Sequence, residues 1–179
     1  MGLLLKISYL IDAINQRFGR IANWLVLLAC LISAGNAGTR YALHMSSNAW
    51  LEIQWYLFAA MVMLGTSYTL KMNEHVRVDV FYGRLPPRLC AWVDLLGCIL
   101  FLMPGAVLLA WLAWPFFVNS FGISEVSANP GGLTLWPAKL LLPLGFALLS
   151  LQGLSEIIKR IGYLTGRYNM DTHYERPLQ

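Results

Sequence analysis

Leu89–Pro115 reads LCAWVDLLGCILFLMPGAVLLAWLAWP, an apolar stretch whose only charged residue is Asp94. At about 1.5 Å rise per residue, a helix of this length would cross a hydrocarbon core of about 30 Å. Three further apolar stretches of similar length lie at Ile21–Leu43, Trp50–Met72 and Leu135–Ile158. Hydrophobic residues make up 58% of the chain and charged residues 12%, about half the usual charged share of a soluble domain. The sequence therefore predicts an all-α integral membrane protein with four transmembrane helices.

Positive charge is distributed unevenly among the gaps between these stretches. Eleven basic residues precede the first stretch, separate the second from the third, or follow the fourth: Lys6, Arg17, Arg20, Lys71, Arg77, Arg84, Arg88, Lys159, Arg160, Arg167 and Arg176. Only Arg40 and Lys139 lie on the other side. Because short loops rich in lysine and arginine stay in the cytoplasm, both termini are predicted to be cytoplasmic. This pattern indicates contact of the basic residues with anionic inner-leaflet lipid and argues against nucleic-acid binding.

The chain is predicted to form a single four-helix membrane domain, residues 1–166, followed by a polar cytoplasmic tail, residues 167–179. Apolar residues recur at helical spacing ahead of the first span: Leu3, Ile7, Leu10, Ile14 and Phe18. They predict an amphipathic N-terminal helix in the inner interface, before the chain turns into the bilayer at Arg20. Because the connections are short, consecutive helices are expected to be antiparallel neighbours.

An interfacial segment, Asn73–Arg88, is predicted between helices two and three. Charge alternates with valine in this segment, and a Pro-Pro pair then ends any helix. His75 and Asp79 are four residues apart, as on one face of an interfacial helix, but two ligands do not make a metal site. Together with Arg77, they are expected to fix the segment against helix ends or a partner.

Charged residues near the predicted outer ends of the helices are candidates for a structural site. Glu52, Arg40 and Lys139 map to the same level, which predicts an ion-pair cluster in which either basic residue is the partner of Glu52. At the inner level, Glu156 is expected to pair with Arg160 four residues later.

The longer outer segment, Phe116–Thr134, contains Ser124, Glu125 and Ser127, and then the run Asn129-Pro130-Gly131-Gly132. That run predicts a turn whose glycines supply positive φ. Within the spans, five glycines are candidates for close helix packing on this chain or on a larger partner: Gly35, Gly38, Gly65, Gly97 and Gly105.

The chain shows no pattern that is typical of an enzyme. It has no Gly-rich phosphate loop and no nucleophile–base constellation, so we expect no catalytic residue. The three cysteines form no CxxC motif and are expected to be small apolar packing residues. The three histidines fall outside the spans, which argues against a haem held by two histidines. No cofactor is expected in this chain.

Several stretches share features with one known family: Trp50-Leu51-Glu52, Leu64-Gly65-Thr66-Ser67-Tyr68, His75-Val76-Arg77-Val78-Asp79, Leu85-Pro86, Ser124–Leu133 and Pro137. They resemble the small membrane subunit of tripartite ATP-independent periplasmic (TRAP) transporters, the DctQ-like family. Many relatives carry two adjacent acids where this chain has Glu52-Ile53. The resemblance covers roughly Ile21 to Arg160 and does not extend to the N-terminal helix or to the tail after Arg167.

The resemblance implies a location in the bacterial cell inner membrane and two partners: a large multi-helix membrane subunit and a periplasmic solute-binding protein. The large subunit would carry the substrate and sodium sites, and uptake of organic acids, often carboxylates, would be driven by sodium. The small subunit would brace the large one and help dock the binding protein, with Glu125 and its neighbours facing the periplasm. It would bind no substrate itself.

One alternative is a self-contained small proton-coupled exporter or channel, in which Glu52 would be the proton-coupled residue. The shallow position of Glu52 in the second helix argues against it. A haem-holding membrane anchor of a redox enzyme is the other alternative.

Overall fold

The computed structural model describes residues 2–44, 47–74 and 85–169. These residues form four long helices: α1 Gly2–Leu43, α2 Asn48–Met72, α3 Pro87–Gly122 and α4 Trp136–Leu164. The predicted all-helical, four-helix architecture is therefore confirmed. We call the end of the helices near Leu43 and Trp136 the loop end, and the opposite end, near Leu164, the tail end.

Three of these helices, α1, α3 and α4, are long and apolar enough to cross a membrane. At about 1.5 Å per residue they measure about 63, 54 and 44 Å, against a hydrocarbon core of about 30 Å. The remaining helix, α2, is not among these three, so the structure supports three of the four predicted membrane spans.

The first helix runs without a break from Gly2 to Leu43, so the predicted turn into the bilayer at Arg20 is wrong. The segment contains no proline that would break the helix. Gly19 is helical, and it packs directly against the side chain of Tyr68 in α2. The buried side of α1 near the tail end is polar, as at Ser8 and Asn15, whereas the predicted apolar stripe, for example Leu10, is exposed. The helix is amphipathic as predicted, but its polar side packs against other helices.

The third helix contains one π-helical turn, Cys98–Leu102, immediately before Pro104. Because Pro104 has no N–H to donate, it cannot form the usual helical hydrogen bond. In the turn before it, the Met103 N–H donates to the carbonyl of Cys98, five residues earlier, which is the π-helical pattern. This turn lies against Gly153 of α4, where an added Cβ would come within 3.0 Å of Leu102. The helix continues to Gly122, beyond the predicted end at Pro115, so the loop to α4 is shorter than expected.

The fourth helix is the central element, because α1, α2 and α3 all pack against it. Gly145 of α4 lies against Met63 of α2, and a small apolar cluster of Ala22, Leu64 and Leu148 joins α1, α2 and α4. Within the described residues α3 packs mainly on α4 and makes no comparable contact with α2. The expectation that consecutive helices are neighbours is therefore wrong for α2 and α3.

Candidate functional site

The loop between α3 and α4, residues 123–135, folds back on itself as a small hairpin. The Leu135 N–H donates to the Glu125 carbonyl at 2.8 Å, and the Ser127 N–H donates to the Leu133 carbonyl at 2.9 Å. The predicted turn at its tip is confirmed, with Gly131 at φ 70°. The next residue, Gly132, leaves no room for a side chain, because an added Cβ would lie 2.6 Å from the Ser127 Cβ.

Glu52 of α2 is the acceptor that holds this hairpin. One carboxylate oxygen accepts the Leu133 N–H at 2.7 Å, and the other accepts the Asn129 Nδ2 at 2.9 Å together with the Ser127 hydroxyl. Glu52 is only 3% exposed, and no described lysine or arginine pairs with it. The predicted ion pair with Arg40 or Lys139 is therefore wrong: the hairpin supplies the donors instead.

Two further residues of α2 bind the same hairpin. Asn48 Nδ2 donates to the Pro130 carbonyl at 3.2 Å, and the Tyr56 hydroxyl donates to the Thr134 carbonyl at 2.9 Å. Because Asn48, Glu52 and Tyr56 are spaced four residues apart, they lie on one face of the helix. The first turns of α2 thus present a polar face that fits the loop.

Lys139, near the start of α4, forms an ion pair with Glu125 at the base of the hairpin. The Lys139 ammonium also lies 4.2 Å from the ring centre of Phe116 in α3, a cation–π contact. The hydrogen bond from Lys139 lowers the pKa of Glu125 below its ordinary value. This ion pair connects the loop to α4, while Glu52 connects it to α2.

A second polar cluster lies at the tail end, between α1 and α4. The Lys159 ammonium is 2.7 Å from Asp12 Oδ2 and 2.9 Å from Glu156 Oε1. The other Asp12 oxygen accepts hydrogen bonds from Ser155 Oγ at 2.8 Å and Gln152 Nε2 at 3.0 Å. All of these side chains are buried, so the charges of α1 and α4 are paired away from solvent.

The cluster extends to α3 through Arg160. Its guanidinium donates to Asp94 Oδ2 at 3.1 Å and pairs with Glu156 in its own helix. We call the five charged residues, Asp12, Asp94, Glu156, Lys159 and Arg160, the tail-end network. Its three carboxylates and two cations join α1, α3 and α4.

Comparison with known proteins gives one family. The family model of the DctQ component of tripartite ATP-independent periplasmic transporters matches residues 35–162. The chain belongs to the DctQ family. Searches of curated proteins and of solved structures found no match. The match runs from the loop end of α1 through α4, so it includes the α3–α4 hairpin and its anchors on α2.

Membership makes this chain the small DctQ subunit of a TRAP transporter, a non-enzymatic, multi-pass membrane protein that works with the other components of that system. The resemblance to the DctQ family that the sequence analysis identified is thereby confirmed. Glu52 connects the α3–α4 hairpin to α2, and Glu125 connects the same hairpin to α4.

The structure brings some of the predicted site residues of this DctQ chain together and separates others. Glu52 accepts a hydrogen bond from Ser127, and Lys139 pairs with Glu125, whereas Arg40 forms no ion pair with a described residue and lines a groove with Leu51 and Gln54. Ser124 lies next to Glu125 in a left-handed conformation, φ 48°. Three predicted residues lie outside the described part of the chain: His75, Arg77 and Asp79. Their role stays a prediction.

Sequence reasoning found only part of the tail-end network. The predicted Glu156–Arg160 pair is confirmed. Asp12 and Lys159 were missed as partners, because α1 was expected to lie in the interface away from α4. A usable signal was present: polar residues recur at helical spacing in α1 as Ser8, Asp12 and Asn15, and in α4 as Gln152, Ser155, Glu156 and Lys159.

Proposed function

We propose that this DctQ subunit is the scaffold of a sodium-driven TRAP uptake system for organic acids, often carboxylates. It braces the large transport subunit and helps to dock the periplasmic binding protein. The observation that carries the proposal is the family match over residues 35–162. The substrate and sodium sites are assigned to the large partner.

The internal contacts support a bracing role. The hairpin anchors connect α2 with the α3–α4 loop, and the tail-end network connects α1, α3 and α4. A scaffold needs such fixed connections at both ends of its helices. Polar residues that are paired with each other are also unsuited to carrying a substrate, because each would first have to lose its partner.

We further propose that both termini lie in the cytoplasm of a bacterial cell, with the hairpin on the periplasmic side of the inner membrane. The support is the charge distribution, in which Lys159 and Arg160 lie at the tail end and Lys139 at the loop end. In this orientation the hairpin is the part of the described chain that a periplasmic binding protein would meet.

The test of docking is the double variant Glu125→Arg with Ser124→Ala. We expect it to weaken association with the binding protein and to lower uptake, while the large subunit still copurifies. Normal uptake and normal docking would overturn this assignment. Arg167→Gln, which changes an exposed residue at the tail end, is the control.

The residues His75, Arg77 and Asp79 are proposed to fix the segment between α2 and α3 against helix ends or the large subunit. Their replacement by three alanines should reduce recovery of the assembled complex from membranes. Normal assembly of the triple variant would overturn the proposal.

The self-contained exporter is the weaker alternative. A proton-coupled residue must exchange protons during turnover, whereas Glu52 accepts three hydrogen bonds from the hairpin. Proton-driven export by the purified chain alone in liposomes, lost in Glu52→Gln, would establish the alternative.

A further inference from the structure

An open groove of about 760 Å³, with a mixed polar and apolar lining, lies between α1 and α2 at the loop end. The two helices pack tightly nearer the tail end, where Gly19 contacts Tyr68 and Gly65 lies against Ala22. Beyond Ala22 no residue of α1 is buried, and a Cβ added at Gly35 or Gly38 would meet nothing within 4 Å. Leu25 is the last α1 residue that packs against the apolar cluster of Ala22, Leu64 and Leu148, and the groove opens beyond it.

Two polar atoms inside the groove lack a partner among the described residues. Asn36 Oδ1 and Gln54 Nε2 are both buried and unbonded. One is an acceptor and the other is a donor, and Ser33 and Tyr41 add hydroxyl groups to the same lining. Buried polar groups are normally satisfied, so these atoms indicate that a polar molecule completes the groove.

The groove carries one positive charge, from Arg40. None of its described lining residues is acidic. Arg40 makes no ion pair with any described residue, and the nearby Glu52 carboxylate is bound to the hairpin. The groove therefore suits an anion with oxygen acceptors.

An apolar stripe continues from the groove toward the middle of α2. Leu51 lines the groove, and Trp55, Phe58 and Val62 follow it at spacings of four, three and four residues, all with exposed side chains. Side chains at these spacings lie on one face of a helix. An arginine in a groove at a helix end, next to an exposed apolar stripe in a membrane protein, matches the phosphate group and the acyl chain of a phospholipid on the side of the membrane where the hairpin lies.

We propose that this groove binds one anionic phospholipid. Its phosphodiester group would contact Arg40, with Asn36 and Gln54 bonding the headgroup, and one acyl chain would lie along the stripe that begins at Leu51. The inference goes beyond the scaffold role, since neither the ion-paired clusters nor the hairpin uses these residues.

The test is native mass spectrometry of the full-length chain in detergent, titrated with phosphatidylglycerol or phosphatidylcholine. We expect one phosphatidylglycerol to bind in preference to phosphatidylcholine, and Arg40→Gln to weaken its binding about tenfold, as expected for loss of a charged hydrogen bond. The matched control is Arg40→Lys, which keeps the positive charge at the same exposed position and should keep the preference for phosphatidylglycerol. Ala37→Phe should also weaken binding, because it fills the groove without removing a charge.

Three results would overturn the proposal. One is equal binding of phosphatidylglycerol by the parent chain, Arg40→Gln and Ala37→Phe. Another is displacement of the lipid by millimolar inorganic phosphate, which would make a free anion the ligand. The third is a photo-crosslink from position 37 to the large subunit instead of to lipid in the assembled complex, which would make the groove a protein interface.

Discussion

At the scale of single residues, Glu52 is the acceptor on which the α3–α4 hairpin depends. Its two oxygens accept one backbone N–H and two side-chain donors from a loop that is about 80 residues away in the chain. Hydrogen bonds to an ionised acceptor are stronger than neutral ones, and among the described residues Glu52 is the acceptor of the Leu133 N–H. The charge on Glu52 therefore acts structurally.

We expect Glu52→Gln to loosen the hairpin, because an amide has one acceptor oxygen where the carboxylate has two. Hydrogen exchange of the peptide containing Leu133 should become roughly tenfold faster, and the helices should keep their protection. Glu74→Gln, at the exposed tail end of α2, is the control. Unchanged exchange in Glu52→Gln would show that the hairpin holds its shape without this anchor.

The Glu125–Lys139 pair should depend on pH with a known sign. The pKa of Glu125 is lowered from 4.5 by the hydrogen bond from Lys139. A lowered folded-state pKa means that the pair stabilises the fold fully above about pH 4.5 and that this contribution is lost as the pH falls through the lowered value. Carboxylate titration by NMR should give a midpoint below 4.5 for Glu125, moving up in Lys139→Met. An ordinary midpoint in both proteins would contradict the ion pair.

The partners of these residues could be predicted only in part. Local sequence was enough to predict that Glu52 and Lys139 lie near the same end of the helices, because spans are local patterns. It was also enough to predict the turn at Gly131. The choice of partner is not local. The choice of partner depends on the hairpin folding back over α2. This places Ser127 beside Glu52, and Lys139 then pairs with Glu125.

At the scale of helices, the polar faces of α1 and α4 pair with each other. Ser8 and Ser155 hydrogen-bond at 2.7 Å, Asn15 Nδ2 donates to Gln152 Oε1 at 2.7 Å, and Lys159 bridges to Asp12. The amphipathic pattern of α1 was predicted correctly, but its polar side was assigned to water. A periodic pattern shows that a helix has two faces without showing what covers each one.

Lys159→Met should destabilise the bundle strongly, because it leaves the Asp12 and Glu156 carboxylates without their shared cation. Removing one partner of a buried pair costs about 3 to 5 kcal/mol of unfolding free energy. Thermal unfolding in detergent measures the effect, with Arg167→Met at an exposed position as the control. The double variant with Asp12→Asn should recover part of the loss. Equal stability of Lys159→Met and the control would contradict a structural role for the network.

Of the five glycines predicted to allow close helix packing, Gly65 is the one that makes such a contact within the described chain. Gly65 lies against Ala22, but a Cβ added at Gly35, Gly38, Gly97 or Gly105 would meet nothing within 4 Å. The close approaches occur at Gly19, Gly145 and Gly153. Composition identifies small residues, whereas the relative position of two helices decides which of them touch.

Gly145→Ala should push α2 away from α4, since the new Cβ would lie 2.7 Å from the Met63 Cβ and 2.9 Å from its carbonyl oxygen. Overpacking of this kind costs about 1 to 3 kcal/mol. Gly105→Ala is the matched control, because its Cβ meets nothing and alanine is favoured over glycine in a helix by about 1 kcal/mol. Detergent melting curves should show a loss for the first variant and none for the second. Equal melting of the two would contradict the α2–α4 contact.

At the scale of the whole molecule, the described helices form an open arrangement around α4. Outward-facing aromatic and aliphatic side chains on α3, such as Phe101 and Trp111, remain exposed within this chain, as does Trp24 on α1. Hydropathy and charge were sufficient to predict the four helices, the bounds of α2 and the start of α4, whereas α1 begins earlier and α3 and α4 end later than predicted. They could not predict that α3 packs mainly on α4, because apolar side chains that face lipid, a partner or another helix look alike in sequence.

This DctQ chain works with the other components of a TRAP transporter. A mild-detergent pull-down of the full-length protein from its native membranes, with mass spectrometry and a measurement of stoichiometry, tests this directly. We expect recovery at one-to-one with a much larger polytopic membrane protein. Recovery of the chain alone, or only as a homo-oligomer, would contradict it.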